Sequence, residues 1–238
     1  KHLAREQSRP LLAEYLAADL GLDSPLHGRL SDPIIRLIDE ARASDTSVAL
    51  ATDLWSRFVD FLEGQHGGLR TFAYADEVYL SVIARLLSAN ILAGKAILSD
   101  HNELKSILGG SYFCDRYQLQ NMVELDYFGW LVRADRIDAL VPAARAIQRD
   151  LLAYDFSCRP EEDLFGRLMA QLANRSQRKL LGQEWTPAWL ATQLATECLS
   201  RLPDDEPPRI VDMCCGSGSI LVAVLKEARS RLGLASIE

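Results

Sequence analysis

The chain has 238 residues, of which 48% are apolar, so it can bury a core in one large domain or two small ones. A formal net charge of -7 excludes a surface that is attractive to nucleic acid everywhere, although a basic patch on an acidic domain remains compatible with DNA contact. No run reaches the roughly 18 apolar residues that span a bilayer, and the charged opening segment does not read as a signal peptide.

The first 150 or so residues read as helices. Leu12, Tyr15, Leu16 and Leu20 share one helical face. Ile34, Ile35, Leu37, Ile38 and Ala41 mark a second helix, with Asp32-Pro33 as the expected entry. Leu54, Phe58, Phe61 and Leu62 are expected to be the core face of a third. A fourth, about Ala75 to Leu98, carries Val78, Ile83, Leu86, Leu87, Ile91 and Leu92 on broad faces, as the central helix of a bundle would. Residues 109–133 are rich in aromatic rings and open with Gly109-Gly110. They read as an irregular connection whose rings pack into the core, rather than as a base-stacking surface built with Arg116 and Arg133. A helix near Ile137 to Leu152 follows, then a linker from Tyr154 to Pro160, then a short helix carrying Leu164, Leu168 and Leu172. The boundary between an N-terminal helical domain, 1–156, and a second region, 157–238, falls in that linker.

Arg175, Arg178 and Lys179 form a basic cluster. It reads as a solvated helix end or as a minor phosphate contact. The five cysteines, Cys114, Cys158, Cys198, Cys214 and Cys215, are odd in number and form no CxxC pair. They read as reduced thiols of a cytoplasmic protein. Adjacent Cys214 and Cys215 read as small apolar filler, and the four scattered histidines argue against a zinc site.

Two pieces carry chemistry. In Gly182-Gln183-Glu184-Trp185-Thr186-Pro187, Thr186 is expected to be an N-cap and Pro187 the first residue of an amphipathic helix with Leu190, Leu194 and Cys198 on one face. After the polar loop 204–208, Ile210 and Val211 read as a short buried strand and Gly216-Ser217-Gly218 as a turn. Ile220, Leu221, Val224, Leu225, Ala228 and Leu232 then read as a helical core face. Glycines allow positive φ or a close ligand approach, and the helix start offers free amides to an anionic group. Asp212 is placed to orient the turn or to accept from a bound amine. A dinucleotide fingerprint requires a third glycine where Leu221 stands, and a P-loop requires Gly-Lys-Ser/Thr, which is absent.

Asp212 to Leu221, DMCCGSGSIL, resembles the S-adenosylmethionine motif DPACGSGTFL of N6-adenine DNA methyltransferases, and LLGQEWTP resembles their G-x-[FY]-Y-T-P motif. The segments DLFGRLMAQLANRSQRK, ADEVYLSVIARLLSANIL and LGGSYF…NMVELDYFGWLV are more loosely similar to the helical parts of large single-chain or modification-subunit methylases of restriction–modification and phage-defence systems. The resemblance implies a mainly α N-terminal domain followed by the start of an α/β Rossmann-like methyltransferase domain. It implies S-adenosylmethionine as cofactor, held by Thr186 and Pro187 at the pocket wall and by Asp212, Gly216, Ser217 and Gly218 at the loop. Met213, Cys214 and Trp185 depart from the family's proline, alanine and tyrosine.

The family's catalytic motif, Asn/Asp-Pro-Pro-Tyr/Phe, has no counterpart in this chain, so no residue here takes a catalytic role by resemblance. Pro207-Pro208 precedes the cofactor loop, and Glu238 falls too early for the ribose-binding acid. The implied whole is a longer methylase of which this is the N-terminal portion, with DNA and other defence subunits as partners. A non-catalytic interaction subunit, or a methyltransferase acting on RNA or protein, are the alternatives.

Overall fold

A computed structural model describes residues 8–63, 70–97, 100–122, 127–157, 162–170, 186–203 and 209–232. The chain divides into two compact units, Lys1–Arg159 and Pro160–Glu238. It is mostly helical, and no helix of the described residues is long and apolar enough to cross a membrane.

In the first unit, α1 (Ala13–Leu20) buries Leu16 and Leu20. The second helix, α2 (Pro25–Ser44), starts eight residues before the expected entry at Asp32-Pro33. Ser24 is its N-cap, accepting from the His27 amide at 3.1 Å, and Pro25 takes the first turn, where its missing N–H costs nothing. Pro33 therefore lies inside the helix and removes one ladder bond. The stripe Leu26, Leu30, Ile34, Ile38 and Ala41, buried along the whole length, holds the helix together across it.

In α3 (Thr46–Glu63) the expected face is reversed. Leu54, Phe58 and Phe61 point outward, Phe61 at 80% exposure, while Val48, Thr52, Trp55 and Ser56 face the core. The polar members are satisfied there: Thr52 donates to the Val48 carbonyl at 2.9 Å, and Trp55 Nε1 donates to Glu77 at 3.2 Å. Asp45 links α2 to α3. Its carboxylate accepts from the Ser47 amide and hydroxyl, at 2.8 and 2.7 Å, and is clasped by Arg133. These contacts, the Ser47 hydroxyl first, hold its pKa well below the usual carboxylate range.

The longest helix, α4 (Thr71–Ala93), is central, as its breadth of apolar residues predicts. It packs on α2, on α5 (His101–Gly109) and on α7 (Ile137–Leu151). Val78, Ile83, Leu86 and Leu87 are buried, whereas Leu92 lies at the exposed end. A reciprocal amide pair ties α4 to α7. Asn90 Nδ2 donates to Gln148 Oε1 and Gln148 Nε2 to Asn90 Oδ1, both at 3.0 Å. The same pair takes up the backbone of Ile97: its N–H donates to Asn90 Oδ1 at 2.7 Å and its carbonyl accepts from Gln148 Nε2 at 2.7 Å.

Residues 109–133 contain α6 (Ser111–Tyr117) and a 3₁₀ turn (Gly129–Val132), and their rings pack inward. Tyr112, Phe113, Phe128 and Trp130 are buried. Tyr74 of α4 donates to the Tyr127 carbonyl at 2.6 Å and accepts from Trp130 Nε1 at 2.9 Å, and burial raises its pKa. Arg116 pairs with Glu103 at 3.2 Å and lies over Tyr112, so neither it nor Arg133 is held out for a base.

Tyr154 and Phe156, expected in a linker, are buried. Tyr154–Asp155 forms β2, parallel to β1 (Arg9–Pro10), with Arg9 opposite Tyr154 and Pro10 opposite Asp155. Arg9 N donates to the Ala153 carbonyl at 2.8 Å, and Tyr154 donates to Asp19 at 2.6 Å, while Arg9 pairs with the same carboxylate. This two-stranded sheet is the only one among the described residues. The helical part of the expected fold is therefore present, and the described residues form no Rossmann-like sheet.

Candidate functional site

The second unit carries the candidate site. Its first described helix, α8 (Leu164–Met169), is short and buries Leu164 and Leu168. Asp163 is its N-cap: one carboxylate oxygen, Oδ1, accepts from the amides of Phe165 at 3.1 Å and Gly166 at 2.9 Å. Leu172, the basic cluster Arg175, Arg178 and Lys179, and Gly182 to Trp185 lie outside the described residues.

Thr186 and Pro187 precede α9 (Ala188–Ser200). The helix begins one residue later than expected. Pro187 occupies the N-cap at φ -58° and ψ 143°, its carbonyl accepting from the Ala191 amide at 3.0 Å, and Thr186 lies outside the helix rather than capping it. The apolar face is also rotated. Ala191, Ala195 and Leu199 are buried, while Leu194 and Cys198 are exposed.

The reason is the partner helix, α10 (Ser219–Leu232), which packs against α9. The contact is made mostly by small side chains, Ala191 and Ala195 with Ala223, Val224 and Ala228, together with Leu199 and with Ile220 at its edge. Small residues let two backbones approach closely, and the larger Leu194 and Leu225 are left outside. Leu225 is thus not part of the core face assigned to it from the sequence. The starts of α9 and α10 carry the two motifs on neighbouring helices, although no hydrogen bond joins Thr186 to the loop among the described residues.

Between residues 209 and 218 the backbone turns without forming a strand. Ile210 and Val211, expected as a buried strand, are exposed, Val211 at 79%. A strand requires a hydrogen-bonded neighbour, and among the described residues none lies beside this segment. Asp212 does orient the turn: its Oδ1 accepts from the Cys214 amide at 3.0 Å. Cys214 and Cys215 are exposed free thiols and fill no core, because the segment that carries them lies on the surface. Gly218 N donates to the Cys215 carbonyl at 2.8 Å, closing a turn, and the Val222 amide donates to the Gly218 carbonyl at 2.9 Å, opening α10.

Both glycines adopt left-handed backbone, Gly216 at φ +54° and Gly218 at φ +91°. Among the described residues, a Cβ at either position would meet nothing within 4 Å. Glycine is therefore required by the dihedral angle and not by crowding, and the space over the turn is open. The amides of Ser219, Ile220 and Leu221, in the first turn of α10, have no carbonyl of their own helix to bond and sit at its positive pole.

Two serines tie this turn to a distant element. Ser217 and Ser219 both donate to Asp163 Oδ2, Ser219 at 2.6 Å. Asp163 and Ser219 escape the sequence reading. Asp163 is legible as a helix cap, an acidic residue before an apolar run, but its bond to a loop 54 residues away is not. Among the described residues no group of three histidine, cysteine or acidic side chains is arranged to hold a metal ion.

Compared with protein-family models, with curated proteins and with solved structures, the chain matches none.

Proposed function

We propose that the Gly216–Gly218 turn is the cofactor loop of an S-adenosylmethionine-dependent methyltransferase. The acceptor would be adenine N6 in DNA, and the setting a restriction–modification or phage-defence system in the cytoplasm. The observation that carries the reading is the turn itself: two left-handed glycines, open space above them, and a helix start with three amides lacking intrahelical partners. The resemblance of DMCCGSGSIL to the methyltransferase motif supplies the identity of the ligand.

The residues present fit that cofactor chemically. The amides at the start of α10 suit the carboxylate of its methionine portion. Asp212 already gives Oδ1 to Cys214, so its second oxygen is the one suited to an ammonium group. Thr186 and Pro187, at the start of the neighbouring helix, take the pocket wall. When bound, S-adenosylmethionine supplies the methyl group; these residues bind and orient it. Handling of the acceptor base falls to residues other than those named.

The test is direct. Titration calorimetry of S-adenosylmethionine into the intact protein should give saturable binding. Incubation with cofactor carrying a labelled methyl group and with duplex DNA should yield N6-methyladenine by mass spectrometry. Binding with label transferred instead to RNA or to protein would keep the cofactor site and overturn the DNA acceptor. No binding overturns the reading as a whole.

A further inference from the structure

Asp163 is engaged on both oxygens. Oδ1 accepts from Phe165 N and Gly166 N, and Oδ2 from the hydroxyls of Ser217 and Ser219. An ionised carboxylate has about four acceptor sites, so these four donors leave it nothing to offer a ligand. The other bonds among the described residues that hold the turn are local, Asp212 to Cys214 and Gly218 to Cys215. Among the described residues, Asp163 is the link between the turn and a distant element. It also fixes the direction of the two hydroxyls. With their hydrogens given to Asp163, Ser217 and Ser219 offer only lone pairs to anything above the loop.

We infer that Asp163 is the positioning residue of the cofactor loop: it latches Ser217 and Ser219 to the start of α8, and it turns their hydroxyls into acceptors for a ligand N–H or O–H. This rests on the reading of the turn as a cofactor site. The latch keeps Gly216 to Gly218 in the receiving conformation before the cofactor arrives, so that binding does not have to order the loop. Asp163 acts through the serines and does not touch the cofactor.

Three changes in the intact protein separate its roles. In Asp163→Ser the serine hydroxyl still caps α8, but one oxygen cannot serve the helix and the loop together. In Ser217→Ala with Ser219→Ala, the cap is untouched and the latch is lost from the other side. In Asp163→Asn the side chain still reaches the loop. Its amide now donates, so the serine hydrogens turn outward.

Hydrogen exchange across residues 214–222 and calorimetric titration of S-adenosylmethionine are the readouts. Asp163→Ser should speed exchange in the loop and weaken cofactor binding by at least about tenfold, the scale of losing charge-assisted bonds. Ser217→Ala with Ser219→Ala should speed exchange as Asp163→Ser does and weaken binding at least as much, because it removes the latch and the two acceptors together. Asp163→Asn should weaken binding while the loop exchanges nearly as slowly as in the wild type. That is an effect a purely structural role would not give. Wild-type exchange and affinity in Asp163→Ser, or faster exchange with unchanged affinity, would overturn the inference. Unchanged affinity in Asp163→Asn would remove the orienting part. A wild-type protein that fails to bind the cofactor at all overturns the functional reading on which the inference stands.

Discussion

Replacing Gly218 by alanine isolates the part of the loop that depends on backbone alone. At φ +91° an L residue is strained, and left-handed backbone costs a non-glycine side chain roughly 1–2 kcal/mol. No steric term from the described residues adds to this, since none of their atoms lies within 4 Å of the new Cβ. If the turn must hold this conformation to receive S-adenosylmethionine, a variant that relaxes away from it must return before binding. At about 1.4 kcal/mol per factor of ten, that return weakens the cofactor by roughly five- to thirtyfold. Gly216→Ala, at φ +54°, should show a loss near the lower end, and Gly216→Asn a smaller one, because asparagine tolerates left-handed backbone. Urea melts and calorimetric titrations of the three variants beside the wild type are the assay. Gly218→Val then adds bulk where a ligand would lie, and should lose more affinity than its added strain in the urea melt accounts for. Equal cofactor affinity in wild type, Gly218→Ala and Gly218→Val would refute both the backbone reasoning and the ligand placement.

The Asn90–Gln148 pair should behave as one unit. Asn90→Ala strands Gln148 Oε1 and the Ile97 N–H, and Gln148→Ala strands Asn90 Nδ2 and the Ile97 carbonyl. Each single change therefore costs about 2–6 kcal/mol at 1–3 kcal/mol per orphaned group. The double variant strands only the two Ile97 groups, so urea denaturation should find it about as unstable as either single. Additive losses would contradict the network. Asp45 should make the protein sensitive to acid. Its folded pKa is lowered, first by the Ser47 hydroxyl and then by Arg133, so its contribution is present above the unfolded value of 3.8 and is lost as pH falls toward the folded one. Asp45→Asn should therefore be less stable than wild type at neutral pH, with the gap closing below about pH 4 in a pH series of thermal melts. A gap that stays constant down to pH 2 would disprove it.

Some local signals in the sequence translate into this structure, while the helix entries read at Asp32-Pro33 and Thr186 and the contacts between distant elements do not. The breadth of apolar residues in α4 announces a central helix because they cover most of its circumference, leaving only a half-exposed strip at Glu77, Ser81, Ala84 and Ser88. The glycines of the turn and the acid before it are legible because dihedral demand is a property of single residues. The face of α3 differs from its pattern because residue size does not decide burial there. The large Leu54, Phe58 and Phe61 are outside, while Thr52 and Ser56 are inside. The face of α9 is misread for the converse reason, since alanines make the contact with α10. The strand at Ile210 and Val211 is a demand for a neighbour, and no periodicity within the segment can say whether that neighbour is present.

The pairing of Arg9–Pro10 with Tyr154–Asp155 brings the entry and the exit of the helical unit side by side. A unit whose two ends meet is a cassette: it can be spliced into a surface turn of another protein, or opened elsewhere and rejoined at its clasp, without stretching its interior. It also sets a mechanical order. A pull applied between residue 9 and residue 155 loads two residue pairs and the contacts of Asp19, on α1, with Arg9 and Tyr154 before it reaches the core helices α2, α4 and α7. The clasp would open first, with the α2, α4 and α7 core still closed behind it.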